Sequence, residues 1–452
     1  MQLERTPEFE QALQKMKNGK AFVFITGRAG TGKSTLLRYF MENHKIKAPI
    51  LAPTGVAALN VGGETIHKFF KIPPNVDSHI ARVEAENRKK PEIYQKIEAL
   101  VIDEISMVRA DLFDAMDLFL QIIRQDKRPF GGVRIIGIGD LHQLPPVVNS
   151  FDSSEFSKKY QTPYFFSSLA YKNMHAMDQL DFIELIKIYR QKDQKFIKLL
   201  NAIRNRDITE KQLKTINSRI IKTAPPDDAI ALTPTNYAAD AINQIKLTRL
   251  PTEIHLIEGE IKGKFKEKDM PTDLNLTLKI GARVMCIAND MRGRFVNGSL
   301  GWVVGFDNQE EDQSSVLVKL DDKDEPIKID PYTWNIHRTK FNKKTGQLEQ
   351  EPTGSFTQIP LRLAWAVTIH KSQGKSFDKL TLDLGRGAFA AGQIYVALSR
   401  CKTLDGLYLI KPITSSQLFP NNDVNHFFNN ILNQPAELEY IQDHEDGQLM
   451  LN

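Results

Sequence analysis

The sequence predicts an α/β protein built from two parallel-sheet domains in tandem, with a small all-β insert in the second. Apolar runs alternate with amphipathic segments before residue 281, which is typical of parallel strands joined by helices. Short alternating segments separated by turns then occupy residues 281–360, and the α/β pattern resumes after them. At 452 residues the chain is too long for one compact core, so more than one domain is expected.

Composition sets limits on the partners and the compartment of the chain. The 60 basic and 55 acidic residues leave a net charge of +5, a mild preference for polyanions. The two cysteines, Cys286 and Cys401, cannot make a disulfide framework, which favours a reducing compartment. No apolar run reaches the ~20 residues of a membrane span, and the N-terminus has no apolar signal core. We therefore expect a cytoplasmic protein that has no membrane partner.

A glycine-rich loop between the first strand and its helix carries the strongest functional signal. Residues 27–34 read G-x-x-x-x-G-K-S, and the apolar run 22–26 before them predicts a buried strand. Glycines let backbone N–H groups converge on phosphate oxygens, and the following helix points its positive end at the same oxygens. The loop predicts ATP and Mg²⁺ as ligands, with Lys33 at the β- and γ-phosphates and Ser34 on the metal. The expected nucleotide-binding residues of this loop are Gly27, Gly30, Thr31, Gly32, Lys33, Ser34 and Thr35.

An acidic motif follows the apolar run 100–102. Asp103 and Glu104 come directly after this predicted strand, which is the Walker B pattern. Asp103 is expected to hold Mg²⁺, and Glu104 is expected to be the general base that deprotonates the attacking water. The alternative is an ordinary acidic strand end, which the neighbouring glycine-rich loop makes less favoured.

Another strand end, after residues 133–138, predicts a sensor of the nucleotide. Gln143 lies just past this strand, where its amide can sense the γ-phosphate. Pro145 and Pro146 stiffen the segment, and a stiff element between the nucleotide and a second ligand can couple the two. The alternative is a Pro-Pro turn with no function.

The second domain is expected to begin near Asp181. A helix predicted over residues 194–206 follows, and a strand is predicted to begin at Ile230. The α/β pattern returns after the insert and leads to a helix over residues 392–398. The predicted units are 1–180 for the first domain, with a small insert at about 61–76, 181–280 and 361–436 for the second domain, 281–360 for the β-rich insert, and 437–452 for an acidic tail.

Two arginines at element junctions of the second domain are candidates for the chemistry of the first. Arg400 follows the helix over residues 392–398, and Arg190 precedes the helix over residues 194–206. Either could stabilise charge on a transferring γ-phosphoryl group across a cleft, as an arginine finger supplied by the same chain. The alternative for each is a surface or salt-bridged arginine.

The ordered set of motifs resembles the Pif (petite integration frequency) family of superfamily-1B DNA helicases. The resemblance spans roughly residues 6–412. The segments that carry it are 27–34, 53–58, 66–67, 103–107, 129–132, 139–146, 189–191, 369–374 and 395–400. The Pro-Phe-Gly-Gly run at 129–132, followed by Gly-Asp-x-x-Gln-Leu-Pro-Pro, is the most family-specific piece, whereas the last two segments are shared with the wider superfamily.

The resemblance implies two RecA-like domains with ATP between them and single-stranded DNA across the top of both. It implies an ATP site formed by Lys33, Ser34, Asp103, Glu104, Gln143, Arg190, Gly374 and Arg400. It implies DNA contacts at Thr54, Gly55, His67, Phe69, His142, Pro145, Thr233, Thr235, His370 and Lys371. The β-rich insert resembles the small barrel of the family, and residues 61–76 resemble the insert that carries its strand-separating wedge.

The activity that the resemblance implies is ATP-driven 5′→3′ movement on single-stranded DNA with unwinding of forked duplex. The family often also unwinds G-quadruplexes and RNA–DNA hybrids, and a monomer of bacterial or phage-like type is expected. One departure concerns the base: spacing puts Phe9 where the family usually has an adenine-reading glutamine, and Gln11 nearby could replace it. Purine selectivity is therefore not predicted.

Two other functions stay open from the sequence. The chain could be a DNA-dependent ATPase or recombination-accessory protein that hydrolyses ATP without processive unwinding, or a P-loop ATPase that remodels proteins. A nucleotide switch needs one nucleotide domain, while a translocating motor needs two that open and close. The second-domain set of Arg190, residues 370–374 and Arg400 therefore favours the motor.

Overall fold

The computed structural model describes most of the residues of the chain. They are 5–44, 46–73, 77–89, 91–148, 153–191, 193–265, 270–290, 292–307, 315–342, 347–385, 392–418 and 421–433. The predicted acidic tail at 437–452, and the last residues of the predicted insert at 61–76, lie outside them.

The first half of the chain forms a six-stranded, wholly parallel sheet in the order β3-β2-β4-β5-β1-β6. Its elements are α1 (Pro7–Asn18), β1 (Phe22–Gly27), α2 (Lys33–Asn43), β2 (Ile50–Ala52), α3 (Gly55–Asn60), β3 (Glu64–Thr65), α4 (Ile66–Phe70), α5 (Ser78–Glu86), α6 (Glu92–Lys96), β4 (Ala99–Asp103), α7 (Ala110–Arg124), β5 (Arg134–Ile138), α8 (Ser153–Lys159), α9 (Leu169–Ala176) and β6 (Leu180–Leu185). Every residue of β1 is buried, as expected for a parallel strand covered on both faces.

Alternation along β1 divides the first domain into two hydrophobic layers. Phe22 and Phe24 point to a layer that contains α7 and α9, whereas Val23 and Ile25 point to a layer that contains α1 and α2. All parallel strands end at the same edge of a sheet, so the loops after β1, β2, β4 and β5 gather at one edge. The glycine-rich loop and the Asp103-Glu104 pair therefore share one edge, as the sequence predicts.

A second parallel sheet, in the order β18-β7-β19-β20, forms the core of the second domain. Its elements are α10 (Gln194–Asn205), α11 (Glu210–Asn217), β7 (Ile230–Thr233), α12 (Asn236–Arg249), and, after the strands β8–β17, β18 (Ala366–Thr368), β19 (Leu380–Leu382), α13 (Gln393–Leu398), β20 (Leu407–Leu409) and α14 (Asn422–Asn433). The fold class predicted from the sequence, two parallel α/β sheets in tandem, is what the structure has.

Antiparallel strands fill the interval between α12 and β18. They are β8 (His255–Glu258), β9 (Glu260–Gly263), β10 (Asn275–Leu278), β11 (Arg283–Cys286), β12 (Leu300–Asp307), β13 (Ser315–Leu320), β14 (Ile327–Ile329), β15 (Tyr332–Asn342), β16 (Gln347–Gln358) and β17 (Leu361–Leu363). They pair as a five-stranded sheet, β14-β13-β12-β11-β17, and as two smaller sheets, β15-β16-β9 and β10-β8. These strands begin at His255, earlier than the predicted boundary at 281, because β8 and β9 are largely exposed and lack a clear apolar alternation.

The last described helix, α14, packs on the first sheet, although the sequence places its residues within the second domain. Val424 and Phe427 are buried in the same layer as Phe22 and Phe24. The Phe427 ring stacks on Phe166 at a centroid distance of 4.3 Å. The chain thus returns to its first domain, so the two domains are joined at both ends of the second.

No described helix is long and apolar enough to cross a membrane.

Replacing Phe427 with alanine tests the docking of α14. Because this side chain is 5 % exposed within an aromatic cluster, the Phe427→Ala variant should lose about 3–5 kcal/mol of folding stability, measured by denaturant or thermal unfolding. Asn429→Ala, an exposed position on the same helix, is the control and should stay within about 0.5 kcal/mol of wild type. Equal unfolding midpoints for both variants would contradict the docking.

Candidate active site

The loop after β1 has the backbone of a phosphate cradle. Gly30 and Gly32 adopt φ values of +86° and +89°, a region that only glycine enters without strain. α2 begins at Lys33, directly after Gly32, so the first-turn amides of this helix face the loop. Thr31 Oγ1 donates to the Arg28 carbonyl at 2.9 Å and closes the turn. The arrangement suits an anion such as a nucleotide phosphate.

Lys33 lies inside this loop and is held by the backbone of the loop itself. Its Nζ donates to the carbonyl oxygens of Gly27 at 2.6 Å and Arg28 at 3.1 Å. Burial lowers the pKa of Lys33, and the nearby charges of Asp140 and Glu104 oppose the effect. An ammonium group in these surroundings forms stronger hydrogen bonds to a phosphate than to the loop carbonyls, because phosphate oxygens carry more negative charge.

The carboxylates predicted for Mg²⁺ and for the base stand at the same sheet edge. Asp103 is the last residue of β4, which is separated from β1 by β5 alone. Glu104 follows with a left-handed φ of +51°, an unusual conformation for a residue that is not glycine. Burial, with the charge of Asp103, raises the pKa of Glu104, while Lys33 and Arg400 oppose the rise. A raised carboxyl pKa is what a general base at neutral pH requires.

The donor set fits Mg²⁺ that arrives with a nucleotide. Ser34 is exposed and Thr35 half-buried on the first turn of α2, and Asp103 is half-buried at the same edge. Mg²⁺ in nucleotide sites takes one or two protein oxygens and fills its octahedron with phosphate oxygens and water. Among the described residues there is no group of three or more His, Cys, Asp or Glu side chains that could hold a metal without such help.

Gln143 links the two sheets. Its Nε2 donates to Asp140 Oδ2 at 3.3 Å, and its Oε1 accepts from Gln373 Nε2 of the second domain at 3.4 Å. The side chain is 6 % exposed. A Cβ at Gly392 would collide with the Gln143 carbonyl, so this segment of the first domain is packed tightly against the start of α13. The predicted sensor is therefore in contact with both domains.

Arg190 lies across the phosphate cradle. Its Nη2 donates to the Gly374 carbonyl at 3.1 Å, and its Nη1 donates to the Ser399 carbonyl at 3.4 Å. A Cβ built on Gly30 would stand 2.5 Å from the Cβ of Arg190. The structure thus brings together Gly30, Gly374 and Arg190, three residues that the sequence assigns to one ATP site.

Arg400 is buried in the cleft with only neutral hydrogen-bond partners. It is 1 % exposed, and it donates to the Val396 carbonyl at 2.9 Å and to Ser399 Oγ at 2.8 Å. Burial, followed by the charge of Arg190, lowers the pKa of Arg400 to about 9, while Glu104 opposes the change. The acceptors of both hydrogen bonds, a backbone carbonyl and a hydroxyl, carry no charge. A buried cation without an anion is costly, so this position favours an anionic ligand.

A residue that the sequence did not indicate also joins the cradle to the second domain. The Tyr395 hydroxyl accepts a hydrogen bond from the Ala29 N–H at 3.2 Å. Ala29 is 6 % exposed and belongs to the hydrophobic core of the second domain. Both residues lie in segments that carry the family resemblance, 27–34 and 395–400, but neither was assigned a role from the sequence, because the P-loop pattern leaves position 29 unspecified and Tyr395 stands in an apolar helical run.

Two predicted DNA-binding threonines occupy equivalent places in the two sheets. Thr54 follows β2 and caps α3, where its Oγ1 accepts from the Ala57 N–H at 3.2 Å. Thr235 follows β7 and caps α12, where its Oγ1 accepts from the Ala238 N–H at 3.3 Å. Both threonines are exposed at the carboxyl edges of their sheets.

Other predicted DNA contacts are partly accessible. His370 and Lys371 are half-buried in a short 3-10 helix directly after β18, the neighbour of β7, and burial lowers the pKa of both. Gly55 and Pro145 are also half-buried. His67 is half-buried with its Nδ1 3.1 Å from the Ile72 carbonyl.

Two residues predicted to contact DNA have internal side chains. Phe69 is 5 % exposed and packs edge-on against Phe70 and Tyr94 at centroid distances of 5.0 and 5.2 Å. It belongs to the apolar face of α4, which faces the first core. Thr233 is 1 % exposed, and its Oγ1 donates to the Thr235 carbonyl at 3.1 Å. It shapes the loop that presents Thr235.

Phe9 cannot read a base, because its ring is used in the core. It is 6 % exposed and packs on Tyr39 at 5.9 Å. Gln11 is exposed on the same helix and is the accessible candidate of the two.

His142 is also less accessible than predicted. It stacks on Phe428 of α14 at a centroid distance of 5.4 Å, and burial, followed by Arg204, lowers its pKa to about 4. In this arrangement its ring faces α14.

A phosphate cradle on one parallel sheet, closed by buried arginines from a second, defines a P-loop nucleoside triphosphatase with two α/β domains. Comparison with known proteins gives the family. A family model described as PIF1-like helicase matches residues 4–214. The ATP-dependent DNA helicase Pif1 of Bdellovibrio bacteriovorus is 32 % identical over 420 residues, which cover 90 % of this chain and 88 % of that protein. The chain belongs to the PIF1-like helicase family.

Other relatives give the extent of the match. The human ATP-dependent DNA helicase PIF1 is 36 % identical over 401 residues, 86 % of this chain, and the match spans 58 % of the human protein. A crystal structure of Pif1 from Bacteroides sp. with ADP-AlF4 matches with a TM-score of 0.85 and 36 % identity, covering 94 % of this chain and 97 % of that one. The Bacteroides Pif1 structure bound to ssDNA matches with a TM-score of 0.65 and 35 % identity, over 94 % and 97 % of the chains.

The hydroxyl of Tyr395 gives a prediction for nucleotide binding. Tyr395→Phe removes one hydrogen bond to the Ala29 amide and keeps the ring, so ATP affinity should fall about 3- to 10-fold, the usual effect of one lost hydrogen bond. A fluorescent-nucleotide titration measures this. Tyr408→Phe on β20 is the matched control and should bind ATP like wild type. Equal affinities for all three proteins would show that the contact does not support the loop.

Proposed function

We propose that this protein is an ATP-dependent DNA helicase that moves 5′→3′ on single-stranded DNA and separates forked duplex. The observation that carries the proposal is the contact of the phosphate cradle with the second domain: Ala29 donates to the Tyr395 hydroxyl, and Arg190, which bonds the Gly374 carbonyl, lies against Gly30. The names of the relatives, ATP-dependent DNA helicases, support the activity, and the ssDNA-bound Bacteroides structure supports the ligand. Unwinding of G-quadruplexes and RNA–DNA hybrids, and action as a monomer, belong to the same proposal.

The proposed reaction is hydrolysis of the β–γ bond of ATP. Water attacks the γ-phosphorus, Glu104 takes the proton of that water, and the bond to the β–γ bridging oxygen breaks to give ADP and phosphate. Lys33 and the loop amides hold the phosphates, and Arg190 and Arg400 stabilise the charge that develops. Ser34 and Asp103 would hold Mg²⁺, which would supply neutralisation of the negative charge on the phosphates. Gln143 orients the water or senses the γ-phosphate.

The proposed DNA path follows the carboxyl edges of both sheets. The proposed DNA contacts of the first sheet are Thr54 and His67. Those of the second sheet are Thr235, His370 and Lys371. The same edges carry the nucleotide residues, so a change in the spacing of the two sheets would move both ligands' contacts together. ATP binding would close the cleft and hydrolysis would reopen it, so that the two DNA grips alternate.

The structure corrects the expected domain limits at 180, 280, 360 and 436. β6 of the first sheet extends to Leu185, the antiparallel strands run from His255 to Leu363, and α14 packs on the first domain. We propose that the wedge lies in residues 61–76.

An unwinding assay on partial duplexes tests the function directly. Wild type should separate a duplex with a 5′ single-stranded overhang, and its ATPase should rise strongly with single-stranded DNA and weaken at high salt. Glu104→Gln should bind ATP but lose about 10²- to 10⁴-fold in turnover, because only the base is removed. DNA-stimulated hydrolysis without strand separation would favour an accessory ATPase, and an ATPase that DNA does not stimulate would favour a protein-directed enzyme.

Arg400 gives a second test of the same proposal. Arg400→Ala should bind single-stranded DNA normally but lose about 10³-fold or more in DNA-stimulated ATPase, the usual effect of removing an arginine finger. The control is Arg283→Ala, another buried arginine, which pairs with Asp321 at 2.5 Å far from the cradle in sequence. That variant should lose stability and keep turnover per folded molecule. If Arg400→Ala behaves like Arg283→Ala, Arg400 is structural.

A further inference from the structure

Arg204 forms a buried ion pair that crosses from the second domain to the first. It lies in the last turn of α10, whose apolar residues pack in the second core. Its Nη2 is 3.5 Å from Asp140 Oδ1 and 3.9 Å from Glu184 Oε1, at the ends of β5 and β6 of the first sheet. The Arg204 side chain is 7 % exposed, and that of Asp140 is 0 % exposed.

Asp140 connects the Arg204 ion pair to Gln143, the predicted sensor of the γ-phosphate. Its Oδ1 accepts from the His142 N–H at 3.1 Å, and its Oδ2 accepts from Gln143 Nε2 at 3.3 Å. The Gln143 Oε1 accepts in turn from Gln373 Nε2 at 3.4 Å. One polar chain therefore leaves the second domain at Arg204, passes through Asp140 and Gln143 of the first, and returns to the second at Gln373.

One hydrogen-bond donor of Arg204 has no acceptor, which argues against a role in stability alone. Among the described residues, the Arg204 Nε is buried without a hydrogen-bond partner. A buried charge that leaves a donor unpaired costs folding free energy, and apolar side chains in its place often stabilise a protein equally well. The contact of Arg204 with Asp140 therefore contributes more to the position of the Asp140 carboxylate than to the stability of the fold.

We propose that Arg204 is a positioning residue which, through Asp140, orients Gln143 for the γ-phosphate while the two domains hold this spacing. The inference rests on the proposed function, because it assigns to Gln143 the sensing of the γ-phosphate. Arg204 itself does not contact the nucleotide. A movement of α10 away from the first sheet breaks the ion pair and frees the Asp140 carboxylate, so the orientation of the sensor depends on domain spacing.

The charges around Asp140 agree with this role. Burial raises the pKa of Asp140, but Arg204 and Lys33 outweigh the effect and hold it below its ordinary value. The other titratable or charged groups that interact with it are His142, Glu104, Tyr164, Tyr395 and Arg400. Without Arg204, the effect of burial is less opposed and the pKa rises. A protonated Asp140 accepts fewer hydrogen bonds, so the acidic limb of the ATPase pH profile should move to higher pH.

Three variants test the proposal: Arg204→Gln, Arg204→Lys, and Arg204→Gln combined with Asp140→Asn. Arg204→Gln should lower DNA-stimulated kcat by about 10- to 100-fold, the effect of losing a charged hydrogen bond, with single-strand affinity unchanged. Arg204→Lys should recover part of the rate. The double variant should recover part of the lost thermal stability, because the buried Asp140 carboxylate that Arg204→Gln leaves without its arginine is then removed, but it should not recover kcat. Arg219→Gln, whose arginine bonds carbonyls within the second domain, is the control and should keep wild-type kcat.

The outcomes separate this proposal from the function on which it rests. A destabilised Arg204→Gln variant with wild-type kcat and an unshifted pH profile would overturn the role of Arg204, while the helicase function would stand. A wild-type enzyme that DNA does not stimulate would overturn the proposed function. In that case the role of Arg204 is tested by the kcat measured without DNA. If Arg204 positions Gln143, Arg204→Gln should lower this basal kcat by the same factor of about 10 to 100.

Discussion

The structure depends on charged side chains that the two sheets bring into one cleft. Lys33, Arg190, Arg204 and Arg400 share the cleft with Asp103, Glu104 and Asp140. Burial disfavours the charge on each of these groups, and Arg400, which is 1 % exposed, has only neutral hydrogen-bond partners. An anionic phosphate in the cleft offsets the burial of these cations, most fully when both sheets contribute at once. Nucleotide binding and domain spacing are therefore two aspects of one electrostatic requirement.

Three polar contacts make the site sensitive to that spacing. Tyr395 accepts from the cradle amide of Ala29, Gln373 donates to Gln143, and Arg204 pairs with Asp140. Each joins a residue of the second domain to a loop at the carboxyl edge of the first sheet. Hydrogen bonds and ion pairs form only over short distances. A shift of one domain relative to the other therefore makes or breaks all three contacts together.

Local sequence patterns predicted the helices, strands and loops. Contacts between residues far apart in the sequence determined which side chains are buried and which elements pack together. Residues 27–34 and the Asp103-Glu104 pair follow from strand–loop signals a few residues long, so the sequence located both correctly. The resemblance implied a DNA contact at Phe69, yet the Phe69 ring of α4 lies in the core, which the spacing of five residues does not reveal. α14 packs against strands that lie some four hundred residues earlier in the chain, and no local pattern names such a partner. Tyr395 and Arg204 act across the domain boundary and were missed for the same reason.

The two sheets present the same element to the proposed DNA path. In each sheet a strand ends in a Pro-Thr pair, and the threonine caps the next helix with a φ of −125° in both cases. Equal backbone geometry places Thr54 and Thr235 in equivalent positions relative to their strands. A motor that advances by alternating grips needs two similar contacts on one repeating backbone, because the phosphates of a strand are themselves equivalent. In the proposed motor the duplicated Pro-Thr caps would meet this need. The two sheets differ at the proposed nucleotide site, since the phosphate cradle belongs to the first and Arg400 to the second.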